Sequence, residues 1–584
     1  MPKPRKILII SFALLLFLGT LTLFLTSSYR FVNFCDHLFK EEVSSNALTL
    51  HYTLKDEAAY KISPDSLSLG SFDTDSSKET WWLRLKLLQL KTISKSLLSS
   101  DFQKKYDNLS YFLRTELNGQ KFSSLKEPLV PSIGIQSQLP ILLAEYTFAD
   151  EEDVKTYLNL LSCIPEYFDS LIAFENDKLS SNLFMDPETA TELISYCDEF
   201  LKNKESHFLI ETFKSRLTAL ELEDTKASNY IEENKTALNT YLYPSYEKLR
   251  NFLKEHEQDG HTTDGLFYLP EGTDYYAWLI RSEVGSNRSF EEIEQLLNQT
   301  LKKDAAAIAK LTKEGPTLLS SRKDLYIDTS NPAALTTYLS KRSEHDFPKI
   351  PSVTLTIHHV PSSMEDHLSP AFYLIPPIDD MGNNVIYLNN KSLEQGLSLF
   401  TTLAHESYPG HLYQTVYENS LNPHPVQRLL SFGGYTEGWG TYAEQMSYFY
   451  APIPEELATV LSSLKSMTLN LYAHLDLYIH AYGWTEDDCT AYLKKFGVTN
   501  AESIHQMFLL AKQQPANYLK YYLGYLEICH LKELARNCLG SEFDLKEFHT
   551  FLLDNGPAPF PLLKTYLQEW LIEQQQGFSE MENP

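Results

Sequence analysis

The sequence predicts a mainly α protein with a small β-sheet set beside one functional helix. Two patterns carry that prediction. Apolar residues recur at three- and four-residue spacing through most of the chain, and near residue 355 the spacing drops to two. Composition agrees: the 584 residues are 43% hydrophobic and 22% charged, with 28 Pro and 22 Gly, which excludes a mostly disordered or collagen-like chain. The 50 Lys and Arg against 77 Asp and Glu leave a formal charge of −27. A duplex-binding protein needs a cationic footprint, so nucleic acid is not expected as a main partner.

At the N-terminus, Lys3, Arg5 and Lys6 precede the apolar run Ile7–Thr26. That run is long enough to cross a hydrocarbon core, and the preceding cations favour a cytoplasmic start. Residues 1–29 are therefore expected to be a cytoplasmic stub and an uncleaved, single-pass anchor in the cell membrane. The bulk of the chain would be extracytoplasmic, with the lipid bilayer as a partner. A cleaved signal peptide is the rival reading, with Thr26-Ser27-Ser28-Tyr29 as a weak cleavage site. Cys35 stands well past the run, so it is poorly placed as a lipoprotein cysteine. The six cysteines contain no C-x-x-C pair, which argues against a thiolate zinc site. Export would permit disulfides, with Cys529 and Cys538 as a local pair.

Residues 30–310 read as helical, in long runs such as Leu83–Leu98, Val154–Phe174 and Tyr230–His256. The turn-rich segment Asp259–Gly272 precedes a further helix at Tyr275–Arg281. Residues 311–584 form the second region, expected to join the first in one continuous fold. Here Val353, Leu355 and Ile357 alternate with polar residues, and Phe372–Ile375 and Val385–Leu388 follow as two more strands. Beyond them the chain returns to helices. Ser392 with Gln395 reads as a capping box, and Leu393, Leu397, Phe400 and Ala404 form an apolar stripe behind it.

That helix ends as His405-Glu406-Ser407-Tyr408-Pro409-Gly410-His411. A hydrolytic zinc helix needs two imidazoles facing one ion and a neighbouring carboxylate to take a proton from the attacking water. A six-residue separation leaves the two imidazoles ~120° apart on an ideal helix. Pro409 lacks a helical donor and Gly410 accepts almost any backbone angle, so a bulge is expected to bring them back together. A proline-ended helix with two incidental histidines is the alternative. Glu437 and Glu444 follow in the segment Gly433–Glu444, seven apart and so on one helix face. The glycines at 433, 434, 438 and 440 permit close backbone approach. Glu437 is expected as the third metal ligand, with Glu444 orienting a histidine behind it; a solvated helix glutamate is the other reading of Glu444.

His405-Glu406-x-x-Pro409-Gly410-His411 followed by Glu437-Gly438-Trp439 resembles the bacterial domain-of-unknown-function family 885. That family is similar to gluzincin metallopeptidases, so the resemblance implies a large helical, zincin-like fold. It implies one zinc per chain at His405, His411 and Glu437, with Glu406 as general base. It also implies that Val385–Leu388 is the edge strand along which a peptide lies. Asp476 and His480 match a further family segment, D-x-x-x-H-x-x-G-W. The carboxylate would orient the imidazole, which either binds the substrate oxyanion or packs in the core. Tyr521 matches a family tyrosine that would donate to the tetrahedral intermediate, with Tyr518, Tyr522 and Tyr525 as neighbours able to take its place. The chain departs from the family where Ala516-Asn517-Tyr518 stands for Gly-Gln-Ala. His358, His359, His424 and His474 lack a matching carboxylate spacing and read as surface or core residues.

The expectation is thus an exported, membrane-anchored zinc metallopeptidase acting on short peptides. The alternatives are a non-catalytic surface or binding protein with a degenerate or structural metal site, and a zinc hydrolase of non-peptide amides.

Overall fold

The computed structural model describes residues 26–62, 67–131, 133–260, 264–314, 327–360, 365 and 369–582. The protein is mainly α, with one three-stranded sheet. The expected anchor run Ile7–Thr26 lies outside the described residues except for Thr26, and no helix among the described residues is long and apolar enough to cross a membrane.

Local chemistry explains where the long helical runs divide. Val154–Phe174 is split into Glu151–Leu161 and Ile164–Ser180, because Pro165 fits the first turn of a new helix and not the interior of an old one. The first of these opens on a capping box, with Asp150 and Asp153 satisfying each other's backbone N–H groups. The run Tyr230–His256 spans Asp224–Ala237 and Tyr243–Glu255, joined by a wider π turn at Leu238–Leu242. Pro244 cannot donate in the regular ladder, and the wider turn accommodates it.

The sheet contains β1 (Thr354–His359), β2 (Ala371–Leu374) and β3 (Asn383–Leu388) in the order β1-β3-β2. β3 runs parallel to β1, with Thr356 opposite Val385, and antiparallel to β2, with Tyr373 opposite Ile386. This corrects the role expected of Val385–Leu388. Both edges of β3 are paired, so it cannot receive a peptide; the edge strand beside the functional helices is β2.

The helices that matter for the site are α1 (Leu397–Glu406), α2 (His411–Ser420), α3 (Gly433–Ser447), α4 (Glu455–Tyr482) and α5 (Asn517–Leu539). α1 opens at Gly396, not at the Ser392 capping box, because Gly396 takes φ +76 and interrupts the helix there. α3 and α5 pack through bare backbone. A Cβ added to Gly438 would lie 2.4 Å from the Gly524 carbonyl carbon, and one on Gly524 would lie 2.1 Å from the Gly434 oxygen. All six cysteines are free thiols. Cys529 and Cys538 share α5 nine residues apart, so they sit on opposite sides, ~13 Å along the axis.

One buried cluster joins both regions of the chain. Phe31, Leu38, Leu109 and Leu113 pack with Leu399, Leu403, Trp439 and Phe551. The strip of core under α1 and α3 is therefore supplied by residues several hundred positions apart.

Gly438→Ala is expected to push α3 from α5 and to destabilise the fold by about 1–3 kcal/mol, the usual range for overpacking. Chemical denaturation of the variant beside the wild type measures it.

Candidate metal centre

α1 stops at Glu406 and α2 begins at His411, so the chain breaks where a bulge was expected. Ser407 leaves helical geometry at φ −112° and ψ −96°, and the Tyr408–Pro409 peptide is cis. Gly410 doubles back onto the end of α1: a Cβ there would lie 1.8 Å from the His405 carbonyl oxygen, so no other residue fits. The indole Nε1 of Trp439 donates to the Pro409 carbonyl at 2.9 Å and ties the break to α3. Because His411 starts a new helix in a new direction, its ring meets that of His405 edge to face at 4.7 Å.

Glu437 approaches both rings. Its Oε2 is 3.6 Å from His405 Nε2 and 3.4 Å from His411 Nε2, and one ligand atom from each of the three residues lies within 4.8 Å of the others. Ligands ~2.0–2.1 Å from a tetrahedral zinc stand ~3.4 Å apart, so the two-histidine, one-carboxylate set fits that ion. Glu444, two turns further along α3, places Oε2 3.7 Å from His405 Nδ1. Its other oxygen pairs with Lys465 Nζ of α4 at 2.9 Å. The His405 ring thus lies between two carboxylates of one helix face. Gly440 makes room for it, since a Cβ at that position would lie 2.6 Å from His405 Nε2.

The electrostatics favour positive charge. Burial opposes protonation of His405, but Glu437 and Glu444 outweigh it and hold its pKa up to about 10. Burial likewise works against ionised Glu437, and the two imidazoles nevertheless keep its carboxyl well below the usual range. Burial raises the carboxyl of Glu406, as suits a group that must accept a proton near neutral pH. Glu406 Oε2 accepts the backbone N–H of Tyr373 at 2.9 Å, which fixes it against the open edge of β2.

Of the tyrosines, Tyr521 reaches this place. Its ring is 6.3 Å from that of His405, and burial together with Glu437 and Glu406 holds its phenol protonated. Tyr518 stacks on Tyr472, Tyr522 bonds to Ser466, and Tyr525 packs on Tyr442. The role expected of His480 needs correction. It is fully buried, its Nδ1 accepts from Leu266 N–H at 3.1 Å, and its Nε2 donates to the Ala511 carbonyl at 2.9 Å. Both ring nitrogens are taken by backbone, so it has none for a substrate. Asp476 does not orient it. The Asp476 carboxylate accepts from Tyr276 Oη at 2.7 Å and from Ala516 N–H at 2.9 Å, at the N-terminal end of α5. It positions the helix that carries Tyr521. Ala516 there takes φ +65, a conformation that glycine adopts more readily than alanine.

Sequence reasoning missed two participants. The Tyr373 N–H left no signal, because a backbone donor can belong to any residue. Lys465 was traceable only as one helix lysine among many.

Two histidines and a glutamate converge half-buried in a helical scaffold, with Glu406 at the end of α1 held against an adjacent edge strand. The chain belongs to the family described as bacterial protein of unknown function (DUF885), which matches residues 73–567. The fold is shared with a candidate lipoprotein from Colwellia psychrerythraea, at a TM-score of 0.81 and 19% identity over 94% of this chain and 100% of that one. A candidate lipoprotein of unknown function from Shewanella oneidensis gives a TM-score of 0.59 and 16% identity, covering 91% and 99% of the two chains. No curated protein matches the chain.

Glu444→Gln is expected to weaken zinc binding ~10- to 100-fold, the usual effect of removing a partner behind a ligand, and Gly440→Ala to displace the His405 ring and weaken it further. Competition against a zinc chelator of known affinity distinguishes both from the wild type.

Proposed function

We propose that this protein is an exported, membrane-attached zinc metallopeptidase that hydrolyses short peptides. One observation carries the reading: His405, His411 and Glu437 converge, while Glu406, the residue after His405, is anchored to the open edge of β2. A zinc ion held by the three would act as a Lewis acid, lowering the pKa of a water and polarising the scissile carbonyl. Glu406 takes the proton of the attacking water and returns it to the leaving amine. Tyr521, protonated and facing the site, donates to the oxygen on which negative charge develops. Glu444 and Lys465 keep the His405 ring in place. The unpaired edge of β2 beside Glu406 supports an extended peptide backbone as substrate.

The cationic start and apolar run of residues 1–29 support insertion in the cell membrane with the rest of the chain outside the cytoplasm. The names of the two structural relatives, both candidate lipoproteins, support export and membrane association in a broader sense. The shared core supports treating residues 30–310 and 311–584 as one functional unit.

Metal analysis of the purified full chain is expected to give one zinc, lost in His411→Ala and kept in Glu406→Gln. Peptide hydrolysis should fall ~10²- to 10⁴-fold in Glu406→Gln. In Tyr521→Phe, kcat should fall ~10²- to 10³-fold with little change in KM. Zinc bound without hydrolysis of any peptide in a mixed library would leave a structural or binding site in its place.

A further inference from the structure

A cavity of about 410 Å³ runs beside the metal centre. Part of its wall comes from the elements that build the centre. Thr415 and Glu418 line it, and they stand four and seven residues after His411 on the same face of α2. Thr436, next to Glu437 on α3, and Ile375, two residues past Tyr373, line it too. Glu418 lies ~10 Å along α2 from His411, the reach of about three extended residues. A peptide lying across His405, His411 and Glu437 would therefore extend one end into this cavity.

The charges on the cavity wall are not equally engaged. Lys105 pairs with Asp101 at 2.9 Å, and His424 faces Asp36 at 3.2 Å. Asp554 accepts the hydroxyl of Tyr417 at 2.8 Å, and Glu418 accepts that of Tyr435 at 2.9 Å. Burial holds the Glu418 carboxyl up to about 7 against the opposing pull of Arg428, so it is only a partial counter-charge at neutral pH. Arg428 differs. Its Nη2 donates to the Pro376 carbonyl at 3.3 Å. Glu418 is the carboxylate that faces it, and among the described residues Arg428 closes no ion pair with one. A guanidinium has five N–H donors in a planar fork that matches a carboxylate. Arg428 lines the cavity and is exposed, so its donors are open to a ligand there.

We propose that Arg428 is a specificity-determining residue that binds a carboxylate of the substrate peptide in this cavity, either the C-terminal α-carboxylate or an acidic side chain. The proposal rests on the peptidase reading for its substrate class, and binding tests it separately from turnover. A lysine at 428 would supply charge without the bidentate fork, so the carboxylate preference depends on arginine geometry as well as on its sign.

The test uses the zinc-loaded full chain carrying Glu406→Gln, so that peptides bind without being consumed. Calorimetry compares one short peptide as its free acid, as its C-terminal amide, and as the amide with an added glutamate. The free acid or the glutamate-bearing amide is expected to bind ~10- to 100-fold more tightly than the plain amide, as for a hydrogen-bonded charge; which of the two does so identifies the carboxylate. Arg428→Gln in the same background should abolish the difference while zinc content stays at one per chain. Arg428→Lys should reduce it, and provides the reading if Arg428→Gln does not fold. Equal binding of the three peptides, binding of none, or a preference that survives both substitutions overturns the proposal. Hydrolysis is measured in parallel with Glu406 intact. No turnover together with an Arg428-dependent carboxylate preference would sink the peptidase reading and leave the carboxylate site standing.

Discussion

The imidazole of His405 lies against bare backbone at Gly440, between the carboxylates of Glu437 and Glu444. The rest of the site depends on that contact. Withdrawing charges from water costs several kcal/mol each unless they are paired and hydrogen-bonded. Here three carboxylates, those of Glu406, Glu437 and Glu444, gather around two imidazoles and Lys465. Such a cluster is stable only with positive charge at its centre, whether carried by protons on the imidazoles or by a divalent ion. The packing of α1 on α3 thus gathers negative charge around the two imidazoles, before any question of catalysis arises.

The same use of glycine acts one layer further out. Gly434 and Gly438 on α3 meet Gly524 on α5 at distances that no side chain would allow. Tyr521 lies one turn before Gly524, so close packing of the two helices is what brings its ring beside His405. Asp476 secures the start of that helix by accepting the Ala516 N–H. A residue of α4 with no contact to the cluster thereby helps set the position of a phenol within it.

Charge acts on two scales. The chain carries −27 overall, which disfavours acidic ligands at a distance. Exposed charges are screened beyond ~8–10 Å in physiological salt, so the groups facing a cavity decide what binds inside it. In the cavity beside the candidate metal centre, Lys105 pairs with Asp101, while Asp554 and Glu418 accept tyrosine hydroxyls. The carboxylate site proposed at Arg428 is local in this sense, set by the groups around it and not by the net charge.

The residue order by itself determined the three strands between residues 354 and 388, the helical character of the remainder, and the residues that converge in the candidate site: two histidines six apart, the glutamate after the first, and two glutamates seven apart among glycines. Those features are local, because strand alternation and helix faces follow from periods of 2 and 3.6 residues. Tertiary structure alone decided how they are used. It made the Pro409–Gly410 segment a full break and not a bulge, because the loop had to pack against the end of α1. It enclosed β3 between two partners and left β2 as the edge, a matter of pairing between strands tens of residues apart. It placed His480 in the core on backbone partners and set Arg428 on the wall of the cavity. No spacing rule covers these outcomes, since the direction a chain takes after a break, and what it then meets, are set by contacts distant in sequence.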